Sequence, residues 1–201
     1  MQRTTNNGPR TIMRWPLVEM LSRYRDVFPI EADVVDRICA LVDSRPNCFD
    51  RTCRPGHITA AAWILSNDRG RVLLTHHRQL DRWLQLGGHA DGQWQVEEVA
   101  LREAREESGL TGFRLVPIDG VVMPFDIDVH EIPARYAPDG TLLEDAHEHH
   151  DIRFLMIAAG DAIQVSEESH DLRWCTPEEV RQLTDEESIL RMLRKALELL
   201  G

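Results

Sequence analysis

Three glutamates, Glu103, Glu106 and Glu107, follow Arg102 at helical spacing within residues 87–110, GGHADGQWQVEEVALREAREESGL. On a helix, positions i, i+3 and i+4 share one stripe, so three carboxylates gather on one side. Like charges at i,i+4 cost a helix roughly 0.2–0.5 kcal/mol per pair, and Glu97 and Glu98 add to the load. A hard divalent cation, which prefers oxygen ligands, relieves that repulsion. Carboxylates holding Mg²⁺ or Mn²⁺ suit attack of water on an anionic substrate. The cation screens the charge and lowers the pKa of an attacking water. The plain alternative is an acidic, solvated helix face.

Histidine forms the second set. His57 precedes an apolar run, His89 directly follows Gly88, and His130, His147, His149 and His150 lie beyond the acidic helix. Imidazole nitrogen binds transition ions. One expectation is therefore a second metal site in which His57 and His89, with one or more of His130, His147 and His149, hold Zn²⁺, Mn²⁺ or Fe²⁺. The other is that these rings bond loop backbone or substrate phosphates. A general base outside the acidic helix has four candidates, Glu144, Glu148, Asp151 and Glu168, among which the sequence does not choose. Cys48 and Cys53, near His57, lack an evident fourth zinc ligand and read as reduced structural thiols. Trp63, Trp83 and Trp174 sit in or beside apolar runs and read as core.

The elements that position these groups follow from periodicity. Leu17, Met20, Leu21, Tyr24 and Phe28 recur at three- and four-residue steps after Pro16, which predicts a helix ended by Pro29. A second helix is expected from about Glu31, with Val34, Val35, Ile38, Leu41 and Val42 as its apolar stripe. Runs 58–65 and 71–75 read as strands joined by the turn Asn67-Asp68-Arg69-Gly70. Residues 83–86 lead into the glycine turn, and Gly109 caps the acidic helix. Runs 113–118, 125–132 and 152–158 read as further strands, with His147–Asp151 lying just before the last. Pro177 opens a short helix and residues 188–200 form a terminal one. Strands flanked by helices before and after predict a mixed sheet between helical layers.

With 201 residues and 42% hydrophobic content, the chain can build one sizeable core plus an accessory element. A formal net charge of −11 disfavours nucleic acid or acidic membrane as a partner, and an anionic substrate then needs a metal bridge. No apolar run approaches the roughly 20 residues of a membrane span, and the start, MQRTTNNGPR, lacks the apolar core of a secretion signal. A cytoplasmic location is expected, in keeping with four sparse cysteines, Cys39, Cys48, Cys53 and Cys175.

Residues 88–110 resemble the Nudix box, the signature of the MutT-like Nudix hydrolases: glycine, five residues, glutamate, seven residues, then Arg-Glu-aliphatic-x-Glu-Glu-x-Gly-aliphatic. Gly88 is followed by HADGQ, Trp94, QVEEVAL and then Arg102-Glu103-Ala104-Arg105-Glu106-Glu107-Ser108-Gly109-Leu110. Trp94 departs from the pattern, standing where the family has its first glutamate, which supports the box arginine. Glu98, four residues before Arg102, is expected to stand in for it. The resemblance implies the Nudix α/β/α sandwich with a mixed sheet over residues 56–201 and an N-terminal helical extension over residues 1–55. It implies Glu103, Glu106 and Glu107 as metal ligands with the Gly88 carbonyl, Arg102 in a structural role, and a pyrophosphatase cleaving a nucleoside diphosphate linked to another group. Relatives are commonly dimers, so a homodimer is an expected partner state.

Two histidine positions are also similar to isopentenyl-diphosphate isomerase, in which a histidine opening the equivalent strand and the histidine of a Cys-Gly-His turn bind metal. Here these are His57 and His89, while the isomerase's cysteine falls on Gly87. Some Nudix-fold proteins have lost hydrolysis and act as ligand-binding regulators, an alternative that Trp94 keeps open. The intact Arg102, Glu103, Glu106 and Glu107 favour the hydrolase over both alternatives.

Overall fold

The computed structural model describes residues 15–167 and 169–201. The opening MQRTTNNGPR and the base candidate Glu168 lie outside the described residues. Helices α1 (Trp15–Val27) and α2 (Ala32–Ser44) are joined by a single 3-10 turn at Pro29–Glu31. Leu17, Leu21 and Tyr24 of α1 and Ile38 and Val42 of α2 are fully buried, as the three- and four-residue spacing requires.

The strands that follow are β1 (Gly56–Leu65), β2 (Val72–His77), β3 (Arg82–Leu84) and β4 (Leu86–His89). Helix α3 (Val96–Ser108) comes next, then β5 (Phe113–Leu115), β6 (Asp126–Ile132), β7 (Arg135–Tyr136), β8 (Leu142–Glu144), β9 (His147–Ala158) and β10 (Ser169–Cys175). Helices α4 (Pro177–Leu183) and α5 (Glu187–Leu200) finish the chain. Eight strands form one mixed sheet with path β10-β2-β1-β9-β5. The central pair β1 and β9 is parallel, while β4 pairs the first half of β1 and β6 the first half of β9, both antiparallel.

Alternation along the central strands splits the interior in two. Ile58, Ala60, Ala62 and Ile64 of β1 face a cluster shared with α1, α2 and α3. Trp63 and Leu65, of the other parity, face a cluster with α4 and α5. The result is a sheet between helical layers. The two N-terminal helices are built into the first cluster, and the loop after them bonds the box region: Phe49 O accepts from Gly92 N at 2.8 Å and Cys48 O from Ile58 N at 2.7 Å. No described helix is long and apolar enough to cross a membrane.

Several expectations need correction. The last central strand begins at His147, five residues before the apolar run, so His147–Asp151 belong to β9 itself. Polar side chains hid it, because they form a buried polar cluster on one face. The strand at 113 ends at Leu115, and β7, β8 and β10 carry too little apolar alternation to announce themselves. In β10 the register shifts between Ser169 and Asp171, which breaks the two-residue period.

Candidate active site

Local chemistry explains the acidic helix. Val96, Val99, Ala100 and Ala104 bury one face of α3, and Glu97 and Glu98 in the first turn complement the helix dipole. Gly109 ends it in the left-handed conformation at φ 70°, its N–H donating to Arg105 O. Glu103 and Glu107 continue that same face toward the C-terminal end of the helix, where it meets the turn made by β4. The carboxylate of Glu103 sits over Gly88: a Cβ there would meet Glu103 Oε2 at 2.5 Å. Glu107, 9% exposed, accepts a hydrogen bond from Gly87 N at 2.9 Å through Oε1. Glu106 stays in solvent, its side chain 65% exposed and 4.0 Å from Arg102 Nε. The helix thus delivers two carboxylates onto the glycine turn and a third to its rim.

Arg102 ties the turn to the helix. Its Nη2 donates to His89 O at 2.8 Å and to Glu103 Oε1 at 2.6 Å, and its Nη1 to Gln93 Oε1 at 3.1 Å. The expected helper Glu98 is not among these partners. Gln93, one residue before Trp94, fills that role, which sequence reasoning missed because an amide at that place carries no family signal. Trp94 is half-buried and packs against the core.

A second constellation lies on the sheet face of the other parity. The register sets His57 beside His149, His130 opposite His149, and His89 opposite Thr59. Ring centroids of His57 lie 5.1 Å from His89, 5.0 Å from His147 and 4.8 Å from His149, and His130 lies 5.5 Å from His149. Ligand nitrogens of His57, His89 and His149 all fall within 4.8 Å of one another, the set of metal-compatible donors found among the described residues. The carboxylates of Glu103, Glu106 and Glu107 do not form so tight a set. His150 has the other parity and leaves the cluster, bonding Glu148 Oε2 at 3.1 Å.

Both nitrogens of His57 and the Nε2 atoms of His147 and His149 are buried with no hydrogen-bond partner among the described residues, and the Cys53 backbone lies near His57. A buried unsatisfied polar group costs about 1–3 kcal/mol. Burial first, then the neighbouring His89 and His147, pushes His57 down to about 3. Burial first, then His57 and His89, pushes His149 down to about 2, and burial likewise lowers His89. These three rings are neutral at pH 7.

The base candidates differ in their neighbours. Asp151 is buried and receives Thr59 Oγ1 at 2.9 Å, Gln85 Nε2 at 3.3 Å and Arg153 Nε at 2.8 Å. Glu148 is bound by Arg37 at 2.7 Å. Glu144 has looser contacts, 3.6 Å from Arg135 and 3.9 Å from Arg54 and His147. Cys48, Cys53 and Cys175 are buried and Cys39 is partly exposed. Trp63 is wholly buried core. Trp83 and Trp174 are partly buried against the two apolar clusters, Trp83 also stacking on His76 with centroids 5.1 Å apart and Trp174 Nε1 bonding Asp161 O at 3.0 Å.

Comparison with known proteins agrees with this layout. A family profile described as NUDIX domain matches residues 56–196. A hydrolase of the NUDIX family from Clostridium perfringens is similar at 25% identity and TM-score 0.56, over 72% of this chain and 98% of that one. A C. elegans Ap4A hydrolase is similar in fold at 20% identity and TM-score 0.50, covering 71% of this chain and 96% of that one. An E. coli dihydroneopterin triphosphate pyrophosphohydrolase is similar in fold at 19% identity and TM-score 0.50, over 71% of this chain and 94% of that one. Among curated proteins, none matches the chain significantly. The chain belongs to the NUDIX family. Its enzyme class is that of the Nudix hydrolases, which act on pyrophosphate bonds and generally use divalent metals. The isomerase's nucleophile has no place here: a Cβ on Gly87 would meet Ala61 Cβ at 2.6 Å.

Proposed function

We propose that the chain is a divalent-metal-dependent hydrolase that cleaves a pyrophosphate bond in a nucleoside diphosphate linked to another group. The reading is carried by one observation, the seating of Glu103 over Gly88 while Glu107 is held by the Gly87 N–H. This donor set fits Mg²⁺ or Mn²⁺, because it offers hard oxygens on a helix whose carboxylates otherwise repel. Glu103, Glu106 and Glu107, with the Gly88 carbonyl, would hold the ion. Bound there, it supplies charge screening at the diphosphate and a lowered pKa for the attacking water. Arg102 keeps Glu103 and the His89 carbonyl in place. Glu144 is the described base candidate with the loosest ion pairs.

Trp94, packed half-buried against the core where the family's pattern has a glutamate, favours a second reading as a ligand-binding regulator. Phosphate release from nucleotide sugars, ADP-ribose, dinucleoside polyphosphates, nucleoside triphosphates and prenyl diphosphates, with Mg²⁺ or Mn²⁺, separates the two. Turnover of a nucleoside-diphosphate-linked substrate that chelator abolishes supports the hydrolase. Tight binding without turnover across the panel supports the regulator.

A further inference from the structure

We infer that His57, His89 and His149, with His147 as a fourth donor, form a transition-metal site separate from the carboxylates of α3. Four observations converge on it. The parallel register of β1 and β9 makes His57 and His149 neighbours, and β4 brings His89 to the same face, so three rigid strands supply the three rings. Their ligand nitrogens lie within 4.8 Å of one another. A tetrahedral zinc with Zn–N bonds of about 2.0–2.1 Å sets neighbouring donors roughly 3.4 Å apart, so the rings need move inward by only about an ångström.

The donors are also in the right form. Metal binding needs a bare imidazole lone pair, and Nε2 of His57 and of His149 is buried with no hydrogen-bond partner among the described residues. His147 Nδ1 lies 2.8 Å from Asp145 O, so Nδ1 carries the proton and donates to that carbonyl, leaving Nε2 free to ligate. This is how a backbone carbonyl orients a metal-binding ring.

Charge balance lies at the edge of the cluster. Glu144 Oε1 is 3.9 Å from His147 Nε2, and Asp128 Oδ2 is 3.5 Å from His130 Nδ1. An all-imidazole set selects a borderline ion such as Zn²⁺ or Fe²⁺ over Mg²⁺, which demands oxygen. His89 and His149 are only half-buried, so an ion can reach the site from solvent. The site stands independently of the hydrolase reading, because it uses no residue of the acidic helix.

Co²⁺ titration of the full chain, stripped with chelator and followed by visible ligand-field absorption and calorimetry, tests the site. One Co²⁺ per chain is expected, displaced by Zn²⁺, with a rise in Tm on saturation. H89Q and the double variant H57A/H149A should weaken binding at least tenfold. H89Q alters a half-buried ring, and unchanged circular dichroism certifies its fold should the double variant fail to fold. The E106Q/E107Q variant should lose Mg²⁺-dependent turnover yet keep the Co²⁺ band. Absence of a saturable band in the unaltered chain overturns the site, as does a band that H89Q leaves untouched or that E106Q/E107Q removes.

Discussion

The backbone N–H of Gly87 donates to Glu107 Oε1 at 2.9 Å across 20 residues of sequence, tying the glycine turn to the last carboxylate of α3. Glu107 therefore has a structural contact besides any role in chemistry. Glu107→Gln keeps an oxygen that accepts from Gly87 but removes the charge. Turnover should fall at least the roughly 10–100-fold seen when even an outer-shell metal contact is lost, while the thermal midpoint stays near that of the parent. A phosphate-release assay beside a melting curve reads both, and unchanged turnover would remove Glu107 from the proposed ligands.

The two glycines of the turn should respond differently to alanine. At Gly87 the added methyl meets Ala61 Cβ at 2.6 Å, Ala61 Cα at 2.7 Å and Ala60 O at 2.8 Å, none of which can yield without moving a central strand. Gly87→Ala should lose about 1–3 kcal/mol, the usual cost of overpacking. At Gly88 the methyl meets the far end of Glu103, a flexible group. Gly88→Ala should hold its urea midpoint and lose activity as Glu103 is displaced. Equal urea midpoints for the two variants would contradict this contrast.

Gln93→Ala should impair the enzyme and Glu98→Ala should not. A hydrogen bond to a charged group contributes about 1.5–3 kcal/mol, and Arg102 retains His89 O and Glu103 when Gln93 is lost. The expected loss in kcat/KM for Gln93→Ala is thus about tenfold, the lower end of that range. Steady-state kinetics showing the reverse order would return the supporting role to Glu98.

Asp126 should set the acid limit of stability. Its carboxylate is wholly buried and bonds Arg153 at 2.9 Å, Arg191 at 2.9 Å and Lys195 at 3.0 Å. Burial alone would raise its pKa, but Arg191, Arg153 and Lys195 outweigh burial and hold it below the usual carboxylate range. A depressed native pKa means the stabilisation is present above the unfolded value of about 3.9 and is lost as pH falls through the native one. Asp126→Asn strands buried cations, so it should cost about 3–5 kcal/mol at neutral pH. It should also flatten the decline of stability below about pH 4. Urea unfolding at several pH values checks both, and a variant whose acid slope matches the parent's would shift the effect to other groups.

Much of the carboxylate site was legible along the chain because its parts are close in sequence. Gly88, Arg102, Glu103, Glu106 and Glu107 lie within one turn and one helix, so helical spacing alone implied a shared stripe. Parity along β9 was not legible, since His147–Asp151 look polar and their strand was read to start later. Nor was the buried set of Asp126, Arg153, Arg191 and Lys195, whose members come from β6, β9 and α5 and carry no local signal.

By itself the amino-acid order determined the helices, most of the longer strands and the acidic stripe, because turn residues and apolar periods act over a few residues. Tertiary structure alone decided that Gln93 rather than Glu98 bonds Arg102, that His150 leaves the histidine cluster, and that His57 meets His149. That last meeting depends on the register of two parallel strands far apart in sequence. Such a register is chosen by the packing of both sheet faces at once, since a slip of one residue would exchange the apolar and polar faces of a strand.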